Sequence, residues 1–571
     1  MEKNKAIKWL LIIFGIIVLM RLIAVWFFVP APSAFSDEYT YIKVARSLFY
    51  NLESSIHGIP FYRYPPLYSI VISIAYLFDG SNGGMVTIYF VMKCINAVLG
   101  ALVIFPAYLL SREFFRRKKS LWIAVLCTII PSVTIMTHYI LSENLFFPLF
   151  LFAFYFTYKS FIRYEWRWGL LAGFFIGLCL MTRMIIVPFL GAVILTAFIG
   201  EWKRKESNMI KNSRNIEIFW NLCRIFLVIG IVILPWIIYS SGQMGSNYFV
   251  KPPFDIEAFL TIITLPFVYL AYLMFASGII PFFTFFPITK LKGKKKYFWR
   301  FAFITISCFV IFLGIRQMYA HHLFPSIFPW IRERPIGRYV SFLIPLALLM
   351  GFINYNKATI KVKKLIWLFI GLLWFTGLFL FSFPLFPINN SDLTLLGSVQ
   401  FYLTNAFHNT NIDVNIIMVM AIITLICIGI AFVMRSLLLR EVIIFLIILF
   451  LIGGHLGVIV SSYNSISYWA NGEAMKFGLW VNKHVPPHSQ ILIDERDCDG
   501  QILKSNQTLI CESIGDKVST PSTIMGVWMN NDIYIGDIKD LNIPKDYIIT
   551  RHTLNKTLLH KSFSGIKIYE T

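Results

Sequence analysis

Two adjacent carboxylates, Asp37 and Glu38, stand directly after the first apolar run, and Arg63-Tyr64-Pro65-Pro66-Leu67-Tyr68 follows before the next membrane-length run. Ionisable side chains beside a bilayer are costly and mark substrate paths. A carboxylate there can take a proton from a hydroxyl, or it can complement a helix N-terminus, worth about 0.3–1 kcal/mol. Polar residues gather again at His138 to Glu143, around Arg183, and over 242–258 and 316–338. Glu143 follows Ser142 and suits either a working carboxylate or a first-turn acid. Arg63 and Arg338 are candidate anion ligands, because a guanidinium grips phosphate oxygens two at a time, and Arg183 is either a further one or an anchor for an outer helix end. Lys93 falls inside an apolar run near its outer end, where it either snorkels or faces a site. Tyr64 reads equally as an interfacial aromatic or a substrate contact.

The elements that must position these residues are membrane helices. The chain has 571 residues, 57% hydrophobic and 14% charged, with mean hydropathy +0.70; soluble domains carry about 25% charged residues. Apolar runs fall at 8–29, 85–111, 120–138, 142–159, 168–183, 184–200, 217–240, 259–287, 297–316, 338–354, 364–383, 413–434 and 441–462. Judged against the roughly 20 residues a bilayer requires, they predict an all-α polytopic protein of about thirteen spans. The basic clusters, from Lys3/Lys5/Lys8 through Arg116-Arg117-Lys118-Lys119 and Lys203-Arg204-Lys205 to Arg435/Arg440, all land on one side under that count. By the positive-inside rule this side is cytoplasmic, as is the N-terminus. The first run reads as a retained signal anchor in the cell membrane. The net charge of +22 is explained by basic loops facing anionic lipid and implies no nucleic acid.

Residues 1–462 form the membrane module, and 463–571 form an extracytoplasmic domain of small α/β type. The outer segment 30–84 predicts two interfacial helices. One runs from Asp37 to about Asn51, capped by Ser36, with Tyr41, Val44, Ala45, Leu48 and Phe49 on its packed face and Asp37, Thr40 and Lys43 projecting elsewhere. The other runs from Pro66 to Phe78. In the tail, Ser465 to His484 predicts a helix stopped by Pro486-Pro487, and 491–493, 508–511, 532–535, 546–549 and 565–569 predict strands. Of eight cysteines only Cys498 and Cys511 lie in this domain, either as an outer disulfide or as two thiols. Sequons at Asn389, Asn506 and Asn555 fall on the expected outer side. His57, His138, His321 and His322, with Glu333 nearby, lack zinc-type spacing, so no metal is expected. Asp497-Cys498-Asp499 reads as a surface loop.

In order and placement, the Asp-Glu pair after the first span, the Pro-Pro-Leu-Tyr segment, Ser142-Glu143-Asn144-Leu145, Thr182-Arg183 before Pro188, and Gly337-Arg338-Tyr339 before Leu343-Ile344-Pro345 resemble the GT-C membrane glycosyltransferases. The chain is most similar to the branch holding protein O-mannosyltransferases and lipid A aminoarabinose transferases. The Trp-Trp-Asp-Tyr-Gly motif of oligosaccharyltransferases is absent. The resemblance implies transfer of a sugar from a polyprenyl-phosphate carrier to a hydroxyl acceptor (lipid, glycan or protein) on the outer face, with inversion and without a cofactor. It implies catalytic roles for Asp37, as general base, and Glu143, and substrate contacts for Glu38, Arg63, Tyr64, Lys93, Arg183 and Arg338. Three competing readings are a lipid-linked substrate transporter or flippase, a polymer ligase of the same superfamily, and a non-catalytic scaffold. Transporters favour paired repeats with charges near the bilayer midplane, whereas here the charges gather at one face.

Overall fold

The computed structural model describes residues 3–28, 35–56, 59–80, 84–163, 165–199, 211–240, 255–278, 291–319, 329–332, 335–355, 416–433, 439–465, 473–494, 526–536, 545–562 and 565–571, with a few isolated positions between them. Among the described residues five helices are long and apolar enough to cross a membrane: Asn4–Phe27, Met85–Arg112, Glu143–Arg163, Ile216–Tyr239 and Lys294–Met318. A sixth is counted if Arg117–Ile129 and Pro131–His138, bent by 55°, are one span. Pro131 causes that bend, since it drives Ile130 out of the helical region to ψ 136°. Several other expected runs form shorter apolar helices, among them Trp166–Leu180, Met184–Ile199 and Ser341–Asn354. The chain is a multi-pass membrane protein; the expected thirteen spans exceed what length and composition of the described helices establish. The 364–383 run lies largely outside the described residues.

The chain divides into two compact units. The first comprises Met1–Val18, Leu99–Met136 and Glu143–Ser461. Its core is aromatic. Phe146, Phe150 and Phe154 recur every four residues on the Glu143–Arg163 helix and so share one face. Phe150 meets Phe342 at 4.7 Å and Phe309 at 5.8 Å, and Phe154 stacks on Phe301 at 4.4 Å. This face holds the helix that begins at Glu143. On Trp166–Leu180, Gly173 lets the Lys211–Tyr239 helix approach closely; a methyl group there would sit 2.5 Å from the Ile225 carbonyl oxygen.

The second unit comprises Leu19–Val98, Thr137–Ser142 and Ser462–Thr571. It contains the end of α1 (Lys3–Phe28), then α2 (Phe35–Asn51), the short antiparallel pair β1 (Ser55–Ile56) and β2 (Ile59–Pro60), α3 (Leu67–Ser73) with a 3-10 turn over Ile74–Phe78, and α4 (Met85–Ala101). Beyond them lie the helix Glu473–His484 and strands β3 (Gln490–Asp494), β4 (Asp532–Gly536), β5 (Tyr547–Thr550), β6 (Thr557–Lys561) and β7 (Lys567–Glu570). The sheet order is β4-β3-β5-β7-β6, with β3 parallel to β4 and β5, and β7 antiparallel to β5 and β6. Phe477, Val481 and Val485 pack on Ile491, Ile493, Ile533 and Ile568, so this α/β domain has its own apolar core.

Three expectations change. Strand β6 is absent from the sequence reading: its residues are mostly exposed, so neither face carries a burial pattern. Ser36 lies inside the first turn of α2, not before it. Thr40 and Lys43, expected to project away from packing, are buried, as is Arg46. The reason is a cover the local pattern cannot reveal: Lys43 Nζ donates to the Met529 carbonyl at 2.6 Å, Arg46 Nε donates to Asn530 Oδ1 at 3.0 Å, and Arg46 pairs with Asp532. Met529 to Asp532 of the C-terminal segment thus cover the polar face of α2. The expected strand at 508–511, Asp497-Cys498-Asp499, Cys511, and the sequons at Asn389 and Asn506 lie outside the described residues.

Candidate active site

The first turn of α2 presents Asp37 and Glu38 in different surroundings. Glu38 is fully buried; its Oε1 accepts from Lys93 Nζ at 3.1 Å and from the Ile140 backbone N–H at 2.7 Å. Lys93, also fully buried, donates in addition to the His138 carbonyl and lies 5.0 Å from the centre of the Tyr89 ring. Each charge therefore meets a charge and a backbone group, which a buried pair requires. Asp37 is only half-buried, and its Oδ1 accepts from Tyr64 Oη at 2.9 Å. Tyr64 is itself held by Tyr41 at 5.2 Å and Phe61 at 5.5 Å. Arg63 is exposed, with its guanidinium 5.8 Å from the Tyr64 ring. The second unit thus brings together Asp37, Glu38, Arg63, Tyr64 and Lys93.

The first unit holds the other expected residues. Glu143, 1% exposed at the start of its helix, pairs with Arg183, and Arg338 Nε stands 3.8 Å from the same carboxylate oxygen. Arg183 follows the end of the Trp166–Leu180 helix, and Arg338 sits in a 3-10 turn over Gly337–Tyr339. Around the Tyr339 ring lie three guanidinium carbons: Arg316 at 4.7 Å, Arg183 at 5.8 Å and Arg338 at 5.9 Å. Two cations therefore share one carboxylate, and a third joins them at one phenol ring. Such a cluster is suited to an anion with several oxygens.

Residues 64–239 match the family model described as "Dolichyl-phosphate-mannose-protein mannosyltransferase". Tyr64, Lys93, Glu143 and Arg183 fall inside that segment; Asp37, Glu38, Arg63 and Arg338 fall outside it. The fold is similar to that of ArnT from Cupriavidus metallidurans bound to undecaprenyl phosphate, at TM-score 0.55 and 12% identity, over 98% of this chain and 97% of that one. The apo form of the same protein matches at TM-score 0.53 and 13% identity, over 99% and 98%. The chain carries an ArnT-like fold. No curated protein matches it by sequence.

Sequence reasoning missed Arg316, which joins the expected residues Arg183 and Arg338 at the Tyr339 ring. Its signal was present: it is a basic residue in the last turn of the Lys294–Met318 helix, at the end opposite the basic cluster Lys294-Lys295-Lys296. Among the described residues no group of three or more His, Cys, Asp or Glu could hold a metal ion; His57, His321, His322 and Glu333 are outside them.

Proposed function

We propose that this GT-C enzyme moves a sugar from a polyprenyl-phosphate carrier to a hydroxyl acceptor on the outer, extracytoplasmic face, with Asp37 as general base. The observation that carries the choice of base is the contrast between the two neighbouring acids. Glu38 is closed inside an ion pair with Lys93, whereas Asp37 is half-exposed with its carboxylate oriented by Tyr64. In the proposed step Asp37 takes the acceptor's O–H proton as the oxygen attacks the anomeric carbon. The bond from that carbon to the phosphate oxygen breaks with its electron pair, and polyprenyl phosphate departs. A single displacement inverts the anomeric centre.

A phosphate leaves without being protonated, so one carboxylate suffices, unlike glycoside hydrolysis, where an acid must protonate the leaving oxygen. What a phosphate needs is positive charge. Each unit offers it by itself: Arg63 in the unit that carries Asp37, and Arg183, Arg316 and Arg338, directed by Glu143 and the Tyr339 ring, in the other. Glu143 on this reading is a positioning residue. Glu38 and Lys93 likewise act by holding the first turn of α2 in place. That ArnT was crystallised with undecaprenyl phosphate supports a carrier of this class for the donor.

The test is transfer of radiolabelled monosaccharides from polyprenyl phosphate to membrane acceptors. Asp37→Asn keeps the shape and removes the base, and should lower the rate by about 10²–10⁴-fold. Undiminished transfer by folded Asp37→Asn would refute the assignment.

A further inference from the structure

The unit that carries Asp37 also contains a cleft of mixed polar and apolar lining, about 430 Å³, formed where the start of α4 meets Glu473–His484 and the segment before β4. That volume lies within the range of about 300–1,000 Å³ usual for small-molecule sites. Its floor is closed. Asp79 accepts from the Gly80 backbone N–H at 3.0 Å, from Asn530 Nδ2 at 2.9 Å, from His488 at 3.2 Å and from Tyr50 Oη, which together fill its four acceptor positions.

Two amides at the wall are held fixed yet keep unused capacity. Asn482 Oδ1 accepts from the Met85 backbone N–H at 3.0 Å and lies so near Gly84 that a methyl group there would be 2.8 Å from it. Gly84 accommodates this with a φ of +52°. One lone pair of the Asn482 oxygen is thereby used, and among the described residues both Nδ2 hydrogens remain to donate. Asn531 is the converse: its Nδ2 donates to the Pro486 carbonyl and to Ser489 Oγ, each at 2.9 Å, which leaves Oδ1 to accept. Lys483 adds an exposed cation, and Val86, Leu479 and Pro487 add apolar wall.

A pre-set donor amide and a pre-set acceptor amide beside apolar carbon match a sugar ring, whose hydroxyls both donate and accept while its C–H face is apolar. We propose that this cleft binds a glycan of about two rings, with Lys483 admitting an acidic substituent. The compact volume favours a ring over an extended peptide, which would need a run of backbone partners. The glycan's role as the sugar-bearing part of the acceptor rests on the proposed transfer reaction; its binding does not.

The test uses the full chain in lipid nanodiscs, without donor. Fluorescently labelled neutral di- and trisaccharides, their uronic-acid counterparts, and a Ser/Thr-containing peptide are titrated by thermophoresis. Saturable binding of the saccharides is expected. Asn482→Asp keeps the acceptor for Met85 and removes both donors, so affinity should fall at least tenfold with the melting temperature held. Lys483→Ala should weaken only the acidic saccharides. Asp37→Asn should bind all of them as the wild type does, so loss of the base assignment and loss of the glycan site are read separately. Absence of saccharide binding, binding of the peptide alone, or affinity unchanged in folded Asn482→Asp would overturn the proposal.

Discussion

Glu38 with Lys93 and Glu143 with its arginines are both buried acid–base groupings, built on opposite plans. In the first, one cation meets one anion, with side chains 1% and 0% exposed, and backbone groups of Ile140 and His138 complete the shell. In the second, two guanidiniums converge on one carboxylate, and three gather at the ring of one phenol. On the proposed function the closed pair is a clamp, whereas the cluster, where among the described residues three guanidiniums stand by one carboxylate, is the receptor for the donor's phosphate. Burial of charge alone therefore does not separate a clamp from a receptor; the ratio of charges does.

The largest expected effect tests the clamp. Glu38→Gln leaves the Lys93 ammonium buried without its counter-charge, and breaking a buried pair costs about 3–5 kcal/mol. Thermal unfolding should show a large fall in stability, and the double replacement Glu38→Leu with Lys93→Met should recover most of it. Unchanged stability in Glu38→Gln together with lost transfer would break the comparison and return Glu38 to the reacting groups. The receptor is tested next by Arg316→Ala. A hydrogen bond to a charged group contributes about 1.5–3 kcal/mol, so donor affinity should fall about 10–100-fold while the fold persists. Rates measured against donor concentration should show a raised KM, and unaltered donor kinetics would remove Arg316 from the cluster.

The sequence made some of this legible and hid the rest for physical reasons. The aromatic face of Glu143–Arg163 follows from a helical period, and the core strands β3, β4, β5 and β7 follow from short apolar runs. Asp37, Glu143, Arg183 and Arg338 stood out because charge beside a membrane is rare. Tertiary pairing was not legible. Nothing local says that Glu38 takes Lys93, 55 residues away, or that Lys43 and Arg46 are covered by Met529 to Asp532. Arg316 escapes notice because one basic residue at the end of a span reads as an interfacial anchor. Its meaning comes only from Tyr339 and two more arginines at the same ring.

The smallest expected effect concerns a third arrangement, in which a carboxylate is held by hydrogen bonds with little full charge pairing. Burial pushes the Asp79 carboxyl up, but hydrogen bonds from Tyr50, Asn530 and the Gly80 backbone, with His488 beside it, outweigh that and hold it below its ordinary value. A carboxyl lowered in the folded state stabilises above its unfolded value, about 3.9, and that contribution is lost as pH falls through the lowered folded value. Asp79→Asn removes the titrating group while keeping an oxygen that accepts. The melting temperature of the wild type should exceed that of Asp79→Asn at pH 6–7, and the gap should close as pH falls below about 4. Protease cleavage within 473–571 should rise in parallel, because Asp79 ties Asn530 and His488 of the C-terminal segment to the first outer loop. The Glu38–Lys93 pair provides the contrast: Asp79→Asn should cost far less than Glu38→Gln, since a neutral amide in place of the Asp79 carboxylate strands no opposite charge in a closed interior. A gap between wild type and Asp79→Asn that stays constant from pH 7 to pH 3 would show that the carboxylate's charge contributes nothing to this tie.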